Sequence, residues 1–371
     1  MSLQQIRSGE GGTLVAVAEN GERWSYTAAS AKRKVADGID PASPIAAGYG
    51  RVAAWSSDGA LFIEADGRHQ SSTVVGLAPN ASLSNLPFAV IGVVTDQRQF
   101  RVVRFEPTQD RWFISDRSDE SVVPAARPVM AALEEPLSES NPGELVVLAG
   151  PDEVQYQHGV LGDRMEATRM LYLDRHSLRT LRALTLPAPF VFEDIAPRTV
   201  AIDHNRGLLT MRSSGSGTQL VLVTADRSDA KKLRVIGLGD PLSAPHRWLS
   251  PTTNGHRVMA IHTPHIGGVV NEYRLDGQRL DTTAIVDDVA NHRIGTRELD
   301  LAVWRGTMLI IPSQDRRRLR VFDGAQRWKE QVSIRRPSPV IMTARLTDSA
   351  QSSAPFAALL EDGTAHRFER R

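Results

Sequence analysis

The sequence predicts an all-β fold, a single closed β-propeller, on three observations. Short runs of alternating or β-branched apolar residues recur along the whole chain. Many of these runs end in a turn closed by glycine. Equivalent units recur at intervals of about 40 to 55 residues, the range of four-stranded propeller blades.

The hairpins are clearest near the two ends. Val15-Ala16-Val17-Ala18 passes through Asn20-Gly21 into Arg23-Trp24-Ser25-Tyr26, and Val52-Ala53-Ala54-Trp55 passes through Asp58-Gly59 into Leu61-Phe62-Ile63. Phe356 to Leu360 does the same through Asp362-Gly363. Asn-Gly and Asp-Gly are strong hairpin signals, and they predict type I′ turns, in which both central φ angles are positive. Looser units fill the middle. Phe88–Thr95 pairs with Phe100–Phe105, Glu144–Ala149 leads to Val154-Gln155-Tyr156, and Met170–Leu173 pairs with Leu181–Leu186. Gln219–Thr224 precedes Leu233–Ile236, Val258–His262 precedes Glu272–Gly277, and Leu299–Trp304 turns at Arg305-Gly306 into Met308–Ile311.

No stretch sustains a helical period; the nearest, Val129 to Glu135, is stopped by Pro136. Strands without intervening helices exclude a parallel α/β sheet. Loops such as Glu134–Pro142 and Ser213–Gly217 are rich in small and polar residues, but the repeat resumes beyond each. Residues 1–371 are therefore expected to form one domain. Eight blades are expected, with seven as the alternative, the count being loosest over Val129–Leu186 and Thr199–Leu238. The last unit offers three strands, Val340 to Phe368, and the N-terminal segment is expected to supply the missing one. Such closure removes open sheet edges.

Composition narrows function by exclusion. The 371 residues are 41% hydrophobic and 23% charged, with a net charge of +1, so no overall field draws in nucleic acid. There is no cysteine, which excludes disulfides, thiolate ligands and a cysteine nucleophile. No apolar run reaches the length of a membrane span. Met1–Gly12 lacks the apolar run of a signal peptide. The expected location is periplasmic or extracellular if such a peptide has been removed, and cytoplasmic otherwise.

Two units carry a family resemblance. Glu298-Leu299-Asp300-Leu301-Ala302-Val303 with Met308-Leu309-Ile310-Ile311, and Gly143-Glu144-Leu145-Val146-Val147-Leu148, resemble the FG-GAP or VCBS-type propeller repeat of bacterial surface and periplasmic proteins and integrin heads. The resemblance implies the propeller fold. It does not extend to the family's calcium loop, a dense Asp-x-Asp-x-Asp-Gly run, because Asp58-Gly59 and Asp66-Gly67 are simple turns with too few oxygen ligands. The tryptophan-docking motifs of quinoprotein-type propellers are not evident. No cofactor or metal is predicted.

Candidate catalytic residues are few. His262 and His265 flank Thr263-Pro264; three positions apart on a strand they face opposite ways, and both meet one metal only if Pro264 breaks the strand. The alternative is a loop histidine pair. Glu193-Asp194 follows Phe190-Val191-Phe192 where an inner strand begins, and paired acids there hold a metal, act as acid and base, or simply cap a strand. His292, Glu298 and Asp300 form a second cluster of that kind. For binding, Arg316, Arg317, Arg318 and Arg320 form the one dense charge run. Alternation puts Arg318, Arg320 and Phe322 on one strand face and Leu319 and Val321 on the other, which fits a solvated outer strand or a site for an anionic partner. Trp24, Trp55 and Trp304 are read as packing between blades rather than as a sugar platform. Asn80-Ala81-Ser82 is a glycosylation triplet of a kind common by chance. Nucleophile-elbow, P-loop and dinucleotide motifs are absent.

The function expected is a non-enzymatic binding or scaffold propeller of bacterial character, monomeric, holding a protein or small ligand on one face. The alternative is a propeller-type hydrolase or lactonase with polar side chains from several blades converging on the central channel.

Overall fold

The computed structural model describes residues 2–8, 14–26, 32–36, 38–65, 68–78, 80–134, 143–202, 205–346 and 355–368. Asp66-Gly67, residues 135–142 and most of 1–12 outside the first strand therefore lie outside the description. The chain forms two compact units, one of residues 1–98, 103–115 and 300–371, the other of 99–102 and 116–299. No helix is long and apolar enough to cross a membrane among the described residues.

The described strands run in antiparallel meanders taken in chain order. The first sheet holds Leu3–Ser8, Leu14–Ala18, Arg23–Tyr26 and Lys32–Ala36, and the second Ala46–Gly48, Arg51–Trp55, Leu61–Ala65 and Arg68–Ser71. Leu83–Asn85, Val90–Asp96, Gln99–Pro107 and Trp112–Arg117 make the third; Val129–Ala131, Glu144–Asp152, Glu166–Leu173 and Thr180–Thr185 the fourth. Two meanders, Arg198–Ile202 to Leu233–Gly239 and Leu249–Thr252 to Arg279–Val286, join edge to edge by a short parallel ladder, Leu238 opposite Arg279 and Gly239 opposite Leu280. Val303–Arg305, Met308–Pro312, Arg318–Asp323 and Lys329–Arg335 follow, and Val340–Arg345, Phe356–Leu360 and Ala365–Phe368 come last.

The second strand of a meander is buried on both faces. Leu14–Ala18 and Phe356–Leu360 are buried at every position, which is why they read as continuous apolar runs and not as alternation. A second regularity lies one strand further out. In five meanders the third strand shifts register against the fourth, at Arg23/Trp24, Tyr172/Leu173, Leu222/Val223, Val270/Asn271 and Val321/Phe322. The extra residue of each bulge lies on the fourth strand, so the third strand keeps its alternation. Arg320 accordingly lies over the Phe322 ring on the face they share, but Phe322 is buried there and not solvated.

The glycine hairpins occur where the sequence places them, with a different turn. In each, one glycine is left-handed (Gly21 φ +77°, Gly59 φ +88°, Gly363 φ +77°), while Asn20, Asp58 and Asp362 are not at positive φ. The glycine N–H returns to the carbonyl three residues earlier: Gly21 to Ala18, Gly59 to Ser56, Gly363 to Leu360. This is the type I turn with a glycine bulge, which matches strand twist at the cost of one positive φ instead of two. The Asx side chain completes it, accepting from the N–H two residues on, of Glu22, Ala60 and Thr364. Two adjacent positive φ values occur instead at Gln97-Arg98.

These glycines also meet the segment that follows their own sheet. A Cβ on Gly21 would lie 2.5 Å from Ile39 O, on Gly59 2.9 Å from Val75 O, and on Gly217 2.7 Å from Ala244 O. On Gly363 it would lie 2.2 Å from Ser2 Oγ, and Leu3 N–H donates to Gly363 O at 3.0 Å. Ser2-Leu3 thus takes, beside the last meander, the place that an ordinary linker takes beside the others. Leu3 and Ile6 pack with Leu346, Ala357 and Leu359 in one core. The backbone of Leu3–Ser8, however, pairs with Leu14–Ala18, so the N-terminal strand belongs to the first sheet and does not complete the last.

Other sequence expectations shift locally. Val129–Ala131 is a strand, Val154–Tyr156 lies in the loop of residues 153–165, and residues 298–302 are not strand, the sixth meander's successor starting at Val303. Trp55 and Trp304 are buried as packing residues, Trp55 meeting Phe105 edge to face at 5.9 Å.

Candidate functional site

The second unit contains a buried polar cluster, and the chain builds it from the ends of its strands. Strands of a meander alternate in direction, so the loop after the second strand and the exit from the fourth share one end. The loop of residues 153–165 and the segments 186–197, 240–248, 263–268 and 287–297 all occupy such positions. Segment 191–192 is stitched on both sides. Phe192 N–H donates to Ala167 O at 2.7 Å and Ser213 N–H donates to Val191 O at 2.8 Å. This fixes Glu193, the next residue, with no solvent exposure.

Glu193 is the hub. His158 Nδ1 lies 2.6 Å from Oε1, Ser213 Oγ donates to Oε2 at 2.5 Å, and Trp248 Nε1 approaches the Glu193 carbonyl at 3.4 Å. Ser213 Oγ also meets Thr218 Oγ1 at 2.7 Å. Burial raises the Glu193 carboxyl above its ordinary range despite the opposing pull of His158 and Ser213. Glu166, 2% exposed, is a second buried acid whose Oε1 has no hydrogen-bond partner; burial first, and the charge of Glu193 next, push its pKa well up. Tyr156 accepts the His246 N–H at 3.0 Å, and its phenol is pushed up to about 12, by burial and then by Glu193.

Asp194 faces differently. Arg198 Nη1 contacts both its oxygens at 2.8 and 2.7 Å, Thr210 Oγ1 donates at 2.9 Å and the Ile195 N–H at 2.8 Å. Its lone pairs are therefore committed to holding the start of strand Arg198–Ile202.

The histidine pair separates. His262 ends its strand and bonds Tyr273 OH at 2.5 Å, and burial lowers it to about 4, so its ring is the neutral acceptor. Thr263 takes φ +44°, and His265 turns to another partner, His292. His292 Nε2 lies 2.7 Å from Thr296 O, a carbonyl that can only accept, so Nε2 carries the proton. His292 Nδ1 then accepts from His265 Nε2 at 2.8 Å. Trp248 stacks on His265 with ring centres 5.7 Å apart, which links this pair to Glu193 through one indole. Glu298 is half-buried and Asp300 exposed, and the Asp300 carbonyl accepts from Thr343 Oγ1. Among the described residues no three His, Asp or Glu side chains are placed to hold a metal ion.

The arginine run is spent locally. Arg316 Nη1 donates to Val340 O at 3.3 Å and Arg317 Nη1 to Pro337 O at 2.8 Å. Arg320 forks onto Glu330 at 3.2 and 2.7 Å and lies over Phe322, while Arg318 is exposed on the same strand.

The structure thus brings Glu193, His265 and His292 into one neighbourhood and adds His158, Glu166, Ser213, Thr218 and Trp248. The sequence signal for Ser213 and Thr218 was available: both flank the Ser214-Gly215-Ser216-Gly217 hairpin beside the apolar run Leu220-Val221-Leu222-Val223, where a hydroxyl needs an internal partner. His158 and Glu166 carried no such local signal.

No family model matches the sequence, and no curated protein matches it. Solved structures do. BamB from Moraxella catarrhalis matches with a TM-score of 0.58 at 12% identity, over 99% of this chain and 94% of that one. Sqt1 from Saccharomyces cerevisiae matches at 0.60 and 11%, over 100% and 96%. The Cps50 (Swd1) β-propeller domain from Myceliophteria thermophila matches at 0.50 and 10%, over 99% and 96%. At such identities the likeness concerns the fold: the chain is a β-propeller.

Proposed function

We propose that the protein is a non-enzymatic propeller that presents its loops to a protein partner. The observation that carries this reading is the wiring of the Glu193 cluster. A Ser-His-acid relay needs imidazole between hydroxyl and carboxylate. Here the carboxylate stands in the middle, taking bonds from both His158 and Ser213. Glu166 and Glu193, read instead as an acid–base pair, are 2% and 0% exposed and offer no face to a substrate. Their place is inside the fold, tying strand ends together.

What the same loops leave outside is apolar. Val154 is 81% exposed, Ile266 62% and Ile294 62%, on three of the segments the cluster joins. Exposed apolar side chains on rigidly tied loops favour a protein contact. Eight blades, kinship with FG-GAP or VCBS-type repeats, a monomeric state, and an exported bacterial setting belong to the same proposal. The successive meanders support the first, and the absence of cysteine fits the last.

The test is a comparison of the protein with a Val154→Glu, Ile266→Glu, Ile294→Glu variant, by crosslinking and quantitative mass spectrometry in its native cell. A partner crosslinked to these loops and lost from the variant supports the scaffold reading. Hydrolysis of ester or lactone substrates by the purified protein, abolished by Glu193→Gln, would overturn it in favour of an enzyme.

A further inference from the structure

At the opposite end of the strands from the Glu193 cluster, the second unit holds a cavity of about 260 Å³ lined by Leu133, Glu134, Arg206, Thr224, Ala225, Arg227 and Arg234. Three of the seven described lining residues are arginines. The described acids beside them are already committed. Glu134 pairs with Arg182 at 2.5 Å. Asp226 takes the hydroxyl and N–H of Ser228 at 2.7 and 2.8 Å, and Arg234 adds only a weaker pull on it. Asp229 takes the Lys231 N–H and pairs with Lys232 Nζ, both at 2.9 Å. Against this, the guanidinium groups of Arg206, Arg227 and Arg234 make no hydrogen bond or ion pair with another described residue.

The walls are rigid where it matters. Thr224 and Ala225 are buried at the end of strand Gly217–Ala225, and Thr224 Oγ1 donates to Arg206 O at 2.6 Å, holding the root of that arginine. Leu133 closes the cavity with a buried side chain. Like charges converging on one cavity repel each other unless an anion joins them, and the guanidinium fork matches tetrahedral oxyanions in geometry. The volume lies below the roughly 300–1,000 Å³ of sites for drug-sized ligands, so the cavity accommodates a small anion or the anionic head of a larger molecule.

We propose that this cavity is a binding site for a phosphoryl group, held by Arg206, Arg227 and Arg234. The group comes either as free phosphate or as a phosphorylated side chain. The site is independent of the loop-end scaffold reading, since it uses none of the same residues.

Isothermal titration of the full chain with inorganic phosphate, and separately with a phosphoserine-containing peptide and its unphosphorylated form, tests it at constant ionic strength. The expected result is saturable one-to-one binding of phosphate or phosphopeptide, weakened at least tenfold by Arg227→Gln and by Arg234→Gln. Both arginines are exposed, so folding should survive, which circular dichroism checks. Arg279→Gln, which removes an exposed arginine paired with Asp240 elsewhere in the unit, should bind as wild type. Tighter binding of the phosphopeptide than of phosphate identifies a phosphorylated side chain as the source, and equal binding identifies the free ion. Absence of saturable binding to either probe, or affinities unchanged in both cavity variants, overturns the proposal.

Discussion

Replacing Gly21 by alanine separates two costs that the hairpin glycine avoids. The first is conformational: at φ +77° a Cβ costs about 1–2 kcal/mol, less the few tenths to 1 kcal/mol that alanine recovers by restricting the unfolded chain. The second is steric: the new Cβ would lie 2.5 Å from the Ile39 carbonyl oxygen, well inside contact distance, and pushing that linker back costs about 1–3 kcal/mol. Gly50 supplies the control within the same unit, with φ +72° and nothing within 4 Å of its added Cβ. Gly50→Ala should cost about 1 kcal/mol or less, and Gly21→Ala about 2–4 kcal/mol. Urea unfolding followed by tryptophan fluorescence reads the difference, Trp24 standing opposite Ala16 in this hairpin. Equal losses in the two variants would refute the idea that the glycine is needed for its contact with the next segment and leave only a backbone preference.

Other expectations follow from the buried ionisable groups. His262 has its pKa lowered to about 4 in the fold from 6.5, so the unfolded chain binds the extra proton between those values. Stability should therefore fall as pH drops from 6.5 through 4, by up to about 3 kcal/mol, and His262→Gln should flatten that slope in a pH series of thermal or urea melts. Glu166 has the opposite sign: its raised pKa makes its contribution greatest below the ordinary glutamate range and lost as pH rises. Glu166→Gln should then stabilise the protein at pH 8 by about 1–3 kcal/mol and have little effect near pH 4; destabilisation at pH 8 would show that its carboxylate has a partner. Glu193→Ala should cost about 2–4 kcal/mol by stranding the Ser213 and His158 donors and leaving a void, measured by chemical denaturation. Glu64→Gln should cost about 3–5 kcal/mol, because it leaves the fully buried Arg23 guanidinium without the charge that pairs with it, a loss visible in the same assay.

The all-β class and the positions of most hairpins were legible because they depend on local chemistry. Asn20-Gly21, Asp58-Gly59 and Asp362-Gly363 mark turns wherever they occur between apolar runs. The turn type was not legible, since one or two residues of positive φ satisfy the same dipeptide and the choice depends on the register of the flanking strands. The burial of Phe322 was likewise hidden, because alternation tells which residues share a strand face and not what packs against that face. The candidate site was half visible. Glu193, His265 and His292 stood out as residue types, but their partners come from segments far along the chain. His262 looked like the companion of His265 because the two are near in sequence, and Tyr273 and His292 claim them separately.

The Glu193 hub also has a consequence for kinetics. Its bonds reach residues 35, 20 and 55 positions away, to His158, Ser213 and Trp248. Contacts of that span must wait until the intervening chain is ordered, because closing long loops costs entropy before any bond repays it. The hub should therefore be absent from the folding transition state and present only on its native side. Weakening it will leave the folding rate nearly unchanged and hasten unfolding, so that the buried Glu193 governs how long the second unit stays folded.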